Sequence, residues 1–134
     1  MRPKASVLIA EDEAQARESL RALLEDEGYR VVCASDGAEA SRILGQSAVE
    51  AALIDIRMPL KDGLELLREL KDTASPPAVL IMTAYGTSAL AIQAMALGAF
   101  DYLTKPLDFE ELRIQLQRAI DDRRKTSELE AYRQ

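Results

Sequence analysis

The chain has 134 residues, 48% hydrophobic and 30% charged, which favours one globular domain with its own core. The net charge of −6 argues against direct nucleic-acid binding, and the lack of histidine removes histidine-based catalysis and most catalytic zinc sites. No apolar run is long enough to span a membrane, and Cys33, the only cysteine, favours a reducing cytoplasm.

The first half of the chain alternates short apolar runs with helix-like segments. Gly28 is a C-terminal stop for the first helix, and Asp36 with Glu39 is predicted to form a capping box that opens the second. In chain order the predictions are the strand Ser6–Ala10, the helix Glu13–Glu27, the strand Tyr29–Ala34, a helix from Asp36 to near Gly45, and the strand Ala51–Asp55.

The second half continues the same alternation. In chain order the predictions are the helix Gly63–Lys71, the strand Ala78–Met82, the helix Thr87–Leu97, the strand Phe100–Leu103 and a last helix capped by Asp108. The apolar stripe of this last helix ends at Ile120. The residues beyond it are interpreted as a solvated helix end, with Arg123–Lys125 as a solvated face, or as the start of a linker.

Alternating strands and helices predict an α/β fold in which five parallel strands are covered by helices on both faces. The strands are continuously apolar, as expected of strands buried on both sides. In open parallel sheets, ligands bind beyond the carboxyl ends of the strands. The residues that follow each apolar run are therefore the candidates for a functional site.

The candidate polar residues lie at the ends of the first, third, fourth and fifth predicted strands, which this fold class brings together. They are Glu11 and Asp12 after the first strand, Asp55 at the end of the third, Thr83 after the fourth, and Thr104 and Lys105 after the fifth. Clustered carboxylates repel one another unless a cation neutralises them, and oxygen ligands suit Mg²⁺. A carboxylate beside Mg²⁺ can act as a nucleophile toward phosphorus, while the lysine and the hydroxyl stabilise the phosphoryl oxygens.

The motifs VLIAEDE, LIDIRMPLKDGLELL, VLIMTAYG and GAFDYLTKP occur in the order and spacing of a known family. Over about residues 5–122 the chain resembles the receiver domain of two-component response regulators. Within that family it is most similar to the nitrogen-regulation (NtrC-like) type of sigma-54 activators. The resemblance implies a flavodoxin-like (βα)5 fold with strand order 2-1-3-4-5, a receiver over residues 1–122, and a helical extension or linker over residues 123–134.

The resemblance also implies a role for each site residue. Asp55 is expected to be the phosphoacceptor, and Lys105 and Thr83 are expected to contact the phosphoryl group. Thr83 and Tyr102 are expected to form a switch pair, and the Lys105–Pro106 peptide bond is expected to be cis. The expected Mg²⁺ ligands are Glu11, Asp12, Asp55 and the backbone carbonyl of Arg57.

The family implies a sensor histidine kinase as phosphoryl donor and a homodimer through the fourth helix, fifth strand and fifth helix. Two other functions stay open. A magnesium-dependent aspartyl-phosphate phosphatase would typically need a second aspartate two residues after Asp55, where this chain has Arg57, which cannot act as a base. An interaction module that works without phosphorylation would usually lack Asp55, Asp12 or Lys105, and all three are present.

Overall fold

The computed structural model describes residues 4–84 and 89–132. Five strands and five helices alternate along these residues, as the sequence predicts. In chain order they are β1 (Ser6–Ala10), α1 (Ala14–Asp26), β2 (Arg30–Ala34), α2 (Gly37–Gln46), β3 (Ala51–Asp55), α3 (Gly63–Leu70), β4 (Ala78–Thr83), α4 (Ala89–Ala96), β5 (Asp101–Thr104) and α5 (Phe109–Tyr132).

The strands form one parallel sheet in the order β2-β1-β3-β4-β5, which confirms the predicted flavodoxin-like topology. The register pairs Ala10 with Ile54, Asp55 with Met82, and Thr83 with Thr104. These pairs lie at the carboxyl ends of their strands. The residues that follow β1, β3, β4 and β5 therefore meet at one rim of the sheet.

The two faces of the sheet have separate hydrophobic cores. On one face, α1 and α5 contribute Leu24 and Leu116 to a core that includes Ile9 and Leu53 of the strands. On the other face, α2, α3 and α4 pack against a second set of strand residues. Because successive side chains of a strand point to opposite faces, both sets are apolar and the strands read as continuous apolar runs.

Helix caps differ from the prediction at one helix start. The Asp36 carboxylate does accept the Glu39 N–H at 2.7 Å, but the Glu39 carboxylate accepts the N–H of Ser35 and not that of Asp36. A reciprocal capping box opens α3 instead, between Asp62 and Glu65. The sequence pattern is the same in both places, but the backbone of the N-cap residue differs, with φ of −154° at Asp36 and −86° at Asp62.

Other boundaries differ by one or two residues. Tyr29 precedes β2, because its N–H is bonded to the Leu24 carbonyl and its side chain is buried against α1 and α5. The predicted start of the fourth helix at Thr87 lies outside the described residues.

Helix α5 continues to Tyr132 without a break at Ile120. Two arginines of the segment interpreted as a solvated face make polar contacts, although Arg124 stays exposed. Arg123 donates to the Pro76 carbonyl at 3.0 Å and to the Ser75 hydroxyl at 3.2 Å. Arg124 donates to both oxygens of Glu50, at 2.9 and 3.2 Å.

Among the described helices, none is long and apolar enough to cross a membrane.

Candidate functional site

Three carboxylates meet at the rim formed by the carboxyl ends of the strands. Glu11, Asp12 and Asp55 each place an oxygen within 4.8 Å of the other two. Glu11 continues the line of β1, because its N–H donates to the Ala34 carbonyl at 3.1 Å. The Glu11 side chain is 1% exposed and Asp55 7%, whereas Asp12 is open to solvent. Two carboxylates of the cluster are therefore buried, and the third, that of Asp12, faces solvent.

Lys105 connects two of these carboxylates. Its Nζ lies 2.6 Å from Asp55 Oδ2 and 2.7 Å from Glu11 Oε1. The chain reaches this position because the Lys105 N–H donates to the Thr83 carbonyl at 2.8 Å, which extends the pairing of β4 and β5 by one residue. The Lys105–Pro106 peptide bond is cis, in agreement with the expectation.

The surroundings of Glu11 and Lys105 shift the pKa of both side chains. Burial raises the pKa of the Glu11 carboxyl, although the hydrogen bonds from Lys105 and the Glu13 N–H act in the opposite direction. Burial alone would lower the pKa of Lys105, but the hydrogen bonds to Asp55 and Glu11 outweigh it and the pKa is raised. Lys105 is therefore a positively charged ammonium at neutral pH.

A cavity of about 320 Å³ opens beside Asp55 and Lys105. Thr83, which is buried, lines it together with residues 56, 57, 84 and 90. Tyr102 is half-buried and packs with Ile81 against the core shared by α2, α3 and α4. Because Ile81 pairs with Tyr102 and Thr83 lies two residues beyond Ile81, Thr83 and Tyr102 occupy the same face of the sheet.

The loop after β3 fixes the orientation of the Asp55 carboxylate through a backbone hydrogen bond. The N–H of Arg57 donates to Asp55 Oδ1 at 3.0 Å, so this carboxylate is held from both sides. At Gly63 a Cβ would lie 2.9 Å from the Ile56 Cα, which requires glycine for this close approach. Leu60, at the tip of the loop, has φ of 71° and is 78% exposed.

The donor set suits a divalent cation. Three carboxylates and one ammonium leave two negative charges in excess when all groups are ionised. The ligand atoms are oxygens, one of them is open to solvent, and the cluster is close enough for a single ion. Mg²⁺ typically takes one or two carboxylates and keeps several waters, which fits this arrangement.

The structure brings together five of the predicted side chains of the rim: Glu11, Asp12, Asp55, Thr83 and Lys105. Thr104 is exposed. Arg17 was not predicted from the sequence; its Nη1 donates to the Glu11 carbonyl at 2.8 Å. The available signal was a basic residue in the first turn of the helix that follows the acidic pair. A helical side chain in that position leans toward the helix N-terminus.

The sequence matches the response regulator receiver domain over residues 7–117. The chain belongs to the response regulator receiver family. This domain acts in phosphorylation-activated two-component signalling. Receivers of this family bind Mg²⁺ in general and are phosphorylated by histidine kinases.

Named relatives agree with this assignment. ZraR, a transcriptional regulatory protein of Klebsiella oxytoca, is 40% identical over 114 residues, which cover 85% of this chain and 26% of ZraR. ZraR is a regulator of the nitrogen-regulation type, so the resemblance to that type is confirmed as well. This chain spans about a quarter of the length of the curated relatives ZraR and AtoC.

Two solved structures share the fold. Full-length FixJ from B. japonicum has a TM-score of 0.87 at 35% identity, and the match covers 96% of this chain and 64% of FixJ. The receiver domain of the sensor histidine kinase PA1611 from Pseudomonas aeruginosa PAO1 has a TM-score of 0.81 at 30% identity, covering 87% of this chain and 98% of that domain. The PA1611 structure has a magnesium ion coordinated in its active site cleft.

Proposed function

We propose that this receiver takes a phosphoryl group onto Asp55 in a magnesium-dependent reaction. The observation that carries the proposal is the contact of Lys105 with both Asp55 and Glu11, inside a cluster of three carboxylates. Asp55 is the carboxylate of this cluster that also lines the adjacent cavity, where an incoming phosphoryl group has room. The N–H of Arg57 and the ammonium of Lys105 fix its orientation.

Asp12, Glu11 and Asp55, with the backbone carbonyl of Arg57, would hold the ion, and Asp12 supplies the solvent-facing oxygen. When bound, Mg²⁺ supplies positive charge to the transferring phosphoryl oxygens. In the transfer, an Asp55 oxygen attacks phosphorus and forms a P–O bond. The P–N bond of a phosphohistidine donor breaks, and its electron pair stays on the imidazole nitrogen. Lys105 then shifts from the carboxylate to a phosphoryl oxygen, and Thr83 donates a hydrogen bond to another.

The partner we propose is a sensor histidine kinase that carries the phosphohistidine. This chain has no histidine of its own, so it suits the role of recipient and not of donor. Its single cysteine suits the reducing cytoplasm, which is where we propose that the transfer occurs. The domain catalyses its own phosphorylation and dephosphorylation and converts no external substrate.

We propose that residues 1–122 form the phosphoacceptor unit and that residues 123–134 lead toward an output unit. The signal leaves through α4, β5 and α5, because β5 is the edge strand nearest the site and the two helices flank it on opposite faces of the sheet. Ile92 and Met95 of α4 are exposed apolar side chains beside small alanines. Such a surface suits a homodimer that phosphorylation stabilises.

The test is the intact mass of the protein after incubation with acetyl phosphate, with and without Mg²⁺. The wild type should gain the mass of one phosphoryl group, and only when Mg²⁺ is present. Asp55→Asn should gain none while it keeps its fold, because an amide cannot form an acyl phosphate. Asp72→Asn, at an exposed position after α3, is the matched control and should react like the wild type.

Each outcome separates the candidate functions. Phosphorylation of Asp55→Asn at the wild-type rate would exclude Asp55 as the acceptor. Continuous release of phosphate over many turnovers would favour the phosphatase. Absence of any mass gain in the wild type would favour an interaction module that works without phosphorylation.

A further inference from the structure

Arg17 contacts the backbone that joins two of the carboxylates. Its Nη1 donates to the Glu11 carbonyl at 2.8 Å, and that oxygen belongs to the peptide unit between Glu11 and Asp12. The Arg17 N–H is bonded to the Glu13 carbonyl at 3.0 Å, so Arg17 lies in the first turn of α1. Since helical side chains lean toward the helix N-terminus, the guanidinium reaches back over the turn between β1 and α1.

The Glu11–Asp12 peptide needs an external anchor because it lies between two regular elements. β1 ends at Ala10 and α1 begins at Ala14. On the N-terminal side, the Glu11 N–H is held by the Ala34 carbonyl at 3.1 Å. On the C-terminal side, Glu13 caps α1 by accepting the N–H groups of residues 15 and 16. Arg17 is the side chain that holds the carbonyl between these two anchors.

The orientation of this peptide decides where two ligands point. Glu11 is turned inward to Lys105 and Asp55, whereas Asp12 is turned outward to solvent. A rotation of the peptide plane would move the carboxylates of Glu11 and Asp12 at once. It would thereby separate oxygens that now lie within 4.8 Å of one another. Groups that orient ligand residues in this way strongly affect metal affinity.

We propose that Arg17 is a positioning residue for the cation site, which it serves by fixing the Glu11–Asp12 peptide. The proposal rests on the proposed function, because it assumes that the carboxylate cluster binds Mg²⁺. Arg17 lies outside the four sequence motifs of the family. It acts on the site through the backbone and does not itself contact the carboxylate oxygens that bind the ion.

Arg21 provides a matched control on the same helix. It lies one turn further along α1, is partly exposed, and pairs with Glu18 and Glu25 of its own helix. Its removal deletes an arginine and the associated helix contacts without touching the Glu11–Asp12 peptide. The comparison of Arg17→Met with Arg21→Met therefore separates the contact with Glu11 from a general loss of positive charge on α1.

The experiment measures Mg²⁺ binding by calorimetry for the wild type, Arg17→Met, Arg17→Lys, Arg21→Met and Asp12→Asn. Arg17→Met should weaken Mg²⁺ binding roughly tenfold. Arg17→Lys should recover most of the affinity, because its ammonium can donate one hydrogen bond to the carbonyl. Arg21→Met should bind like the wild type. Melting temperatures in EDTA show how far each variant remains folded.

A second measurement follows acetyl phosphate reactivity against Mg²⁺ concentration. For Arg17→Met the half-saturating Mg²⁺ concentration should rise by the same factor as the dissociation constant. The rate at saturating Mg²⁺ should change by less than about twofold, because the variant weakens the binding of the ion and not the chemical step. A loss of folded protein would lower the rate at every concentration instead.

Wild-type affinity in Arg17→Met would overturn the assignment of Arg17. Equal impairment of Arg17→Met and Arg17→Lys, in proportion to a lower melting temperature, would also overturn it in favour of a structural role. Asp12→Asn separates the test of the proposed Mg²⁺ site from the test of the proposed role of Arg17. Loss of binding in Asp12→Asn but not in Arg17→Met leaves the proposed function standing, whereas a wild type that binds no Mg²⁺ removes both.

Discussion

Gly37 marks a close approach of α2 to the loop after β3. A Cβ at this position would lie 1.6 Å from the Lys61 carbonyl oxygen and 2.4 Å from its carbonyl carbon. The Gly37 N–H donates to the Pro59 carbonyl of the same loop at 3.2 Å. Both neighbours are backbone, so they cannot move aside as a flexible side chain would. The loop that positions Asp55 therefore depends on the missing side chain of Gly37.

Gly37→Ala should lower the free energy of unfolding by about 1–3 kcal/mol, the range for overpacking a close contact. Urea unfolding checks this. Gly45→Ala in the same helix is the control, because no described atom lies within 4 Å of its added Cβ. It should raise the stability by about 0.5–1 kcal/mol, since alanine favours the helix. Equal effects of the two substitutions would contradict the close approach at Gly37.

Glu69 joins α3 to α2 and to the same loop. Its carboxylate accepts a hydrogen bond from the Ser41 hydroxyl at 2.7 Å and pairs with the Lys61 ammonium. Burial alone would raise the pKa of Glu69, but the hydrogen bonds from Lys61 and Ser41 outweigh it and the pKa is lowered below 4.5. A lowered pKa in the folded state adds stability above the unfolded pKa, and that stability is lost as the pH falls through the folded value.

Glu69→Gln should therefore cost stability at neutral pH, and the cost should shrink as the pH falls from 4.5 through the lowered pKa. The expected difference at pH 7 is about 0.5–1 kcal/mol, because the pair is partly solvent-screened. Urea unfolding at a series of pH values measures it. In a Lys61→Met background the pH dependence of the Glu69→Gln effect should be largely lost. A cost that stays constant with pH would rule out the ion pair as its cause.

Individual residues of the rim could be predicted, but their mutual contacts could not. Asp55 stood out because a carboxylate at the end of an apolar strand is costly if it is buried unpaired. Lys105 stood out only together with the other residues at the strand ends. The depth of Glu11 and its contact with Lys105, 94 residues further along the chain, depend on side-chain conformations that no local pattern specifies. Arg17 was missed for the same reason, since its partner is a backbone carbonyl.

Among the elements, the end of α5 was left open by its sequence, which is compatible with a solvated helix end or with the start of a linker. Its apolar stripe ends at Ile120, and beyond that point the helix continues to Tyr132 with polar contacts made by Arg123 and Arg124. These contacts lie near the amino ends of β3 and β4, whereas Asp55 lies at the carboxyl end of β3. The periodicity of apolar residues does not detect arginine anchors of this kind.

Arg124→Met should loosen the end of α5 without unfolding the domain. Exposed ion pairs are worth about 0.2–1 kcal/mol. Amide hydrogens of residues 122–130 should therefore exchange roughly two- to fivefold faster, while those of the sheet are unchanged. Hydrogen-exchange mass spectrometry on peptides from this helix checks the prediction. Lys125→Met, at the exposed neighbouring position, is the control and should exchange like the wild type. Identical exchange in Arg124→Met would mean that the contact with Glu50 does not hold the helix.

The strands and the sheet were the most predictable elements. Continuous apolar runs such as Ala51–Asp55 leave few alternatives to a strand buried on both faces, and its observed bounds are the same. Helix ends were less predictable, since Asp36–Glu39 and Asp62–Glu65 share one pattern and only the second forms the reciprocal box. The local sequence pattern therefore does not decide whether the reciprocal box forms.

At the scale of the whole molecule, the sheet links the proposed phosphorylation site to the proposed output surface. β4 ends in Thr83 beside Asp55 and Lys105, and β5 carries Tyr102 on the same face of the sheet. β5 lies at the edge, between α4 and α5. A phosphoryl group on Asp55 adds negative charge and acceptor oxygens at the rim, which attract Lys105 and the Thr83 hydroxyl. In the switch that we propose, movement of Thr83 would free space into which Tyr102 could turn.

Thr83→Ala should therefore accept a phosphoryl group on Asp55 and yet respond weakly at the α4–β5–α5 surface. The reason is that a ligand shifts a conformational equilibrium only by the difference in its contacts with the two states, and the hydroxyl supplies part of that difference. Beryllofluoride with Mg²⁺ serves as the phosphoryl mimic. Sedimentation velocity reports the association state, and the NMR signals of the Tyr102 ring report its environment. Wild type should shift toward the dimer and change the Tyr102 signals, whereas Thr83→Ala should do neither fully.

Thr73→Ala is the control for loss of a threonine hydroxyl, because Thr73 donates to the Leu70 carbonyl at the end of α3, away from the cavity. It should respond to beryllofluoride like the wild type. A full response in Thr83→Ala would show that the signal reaches β5 by another route, such as Lys105 and the backbone that it shares with Thr104. A response lost in both variants would instead indicate that general destabilisation, and not the Thr83 hydroxyl, governs the switch.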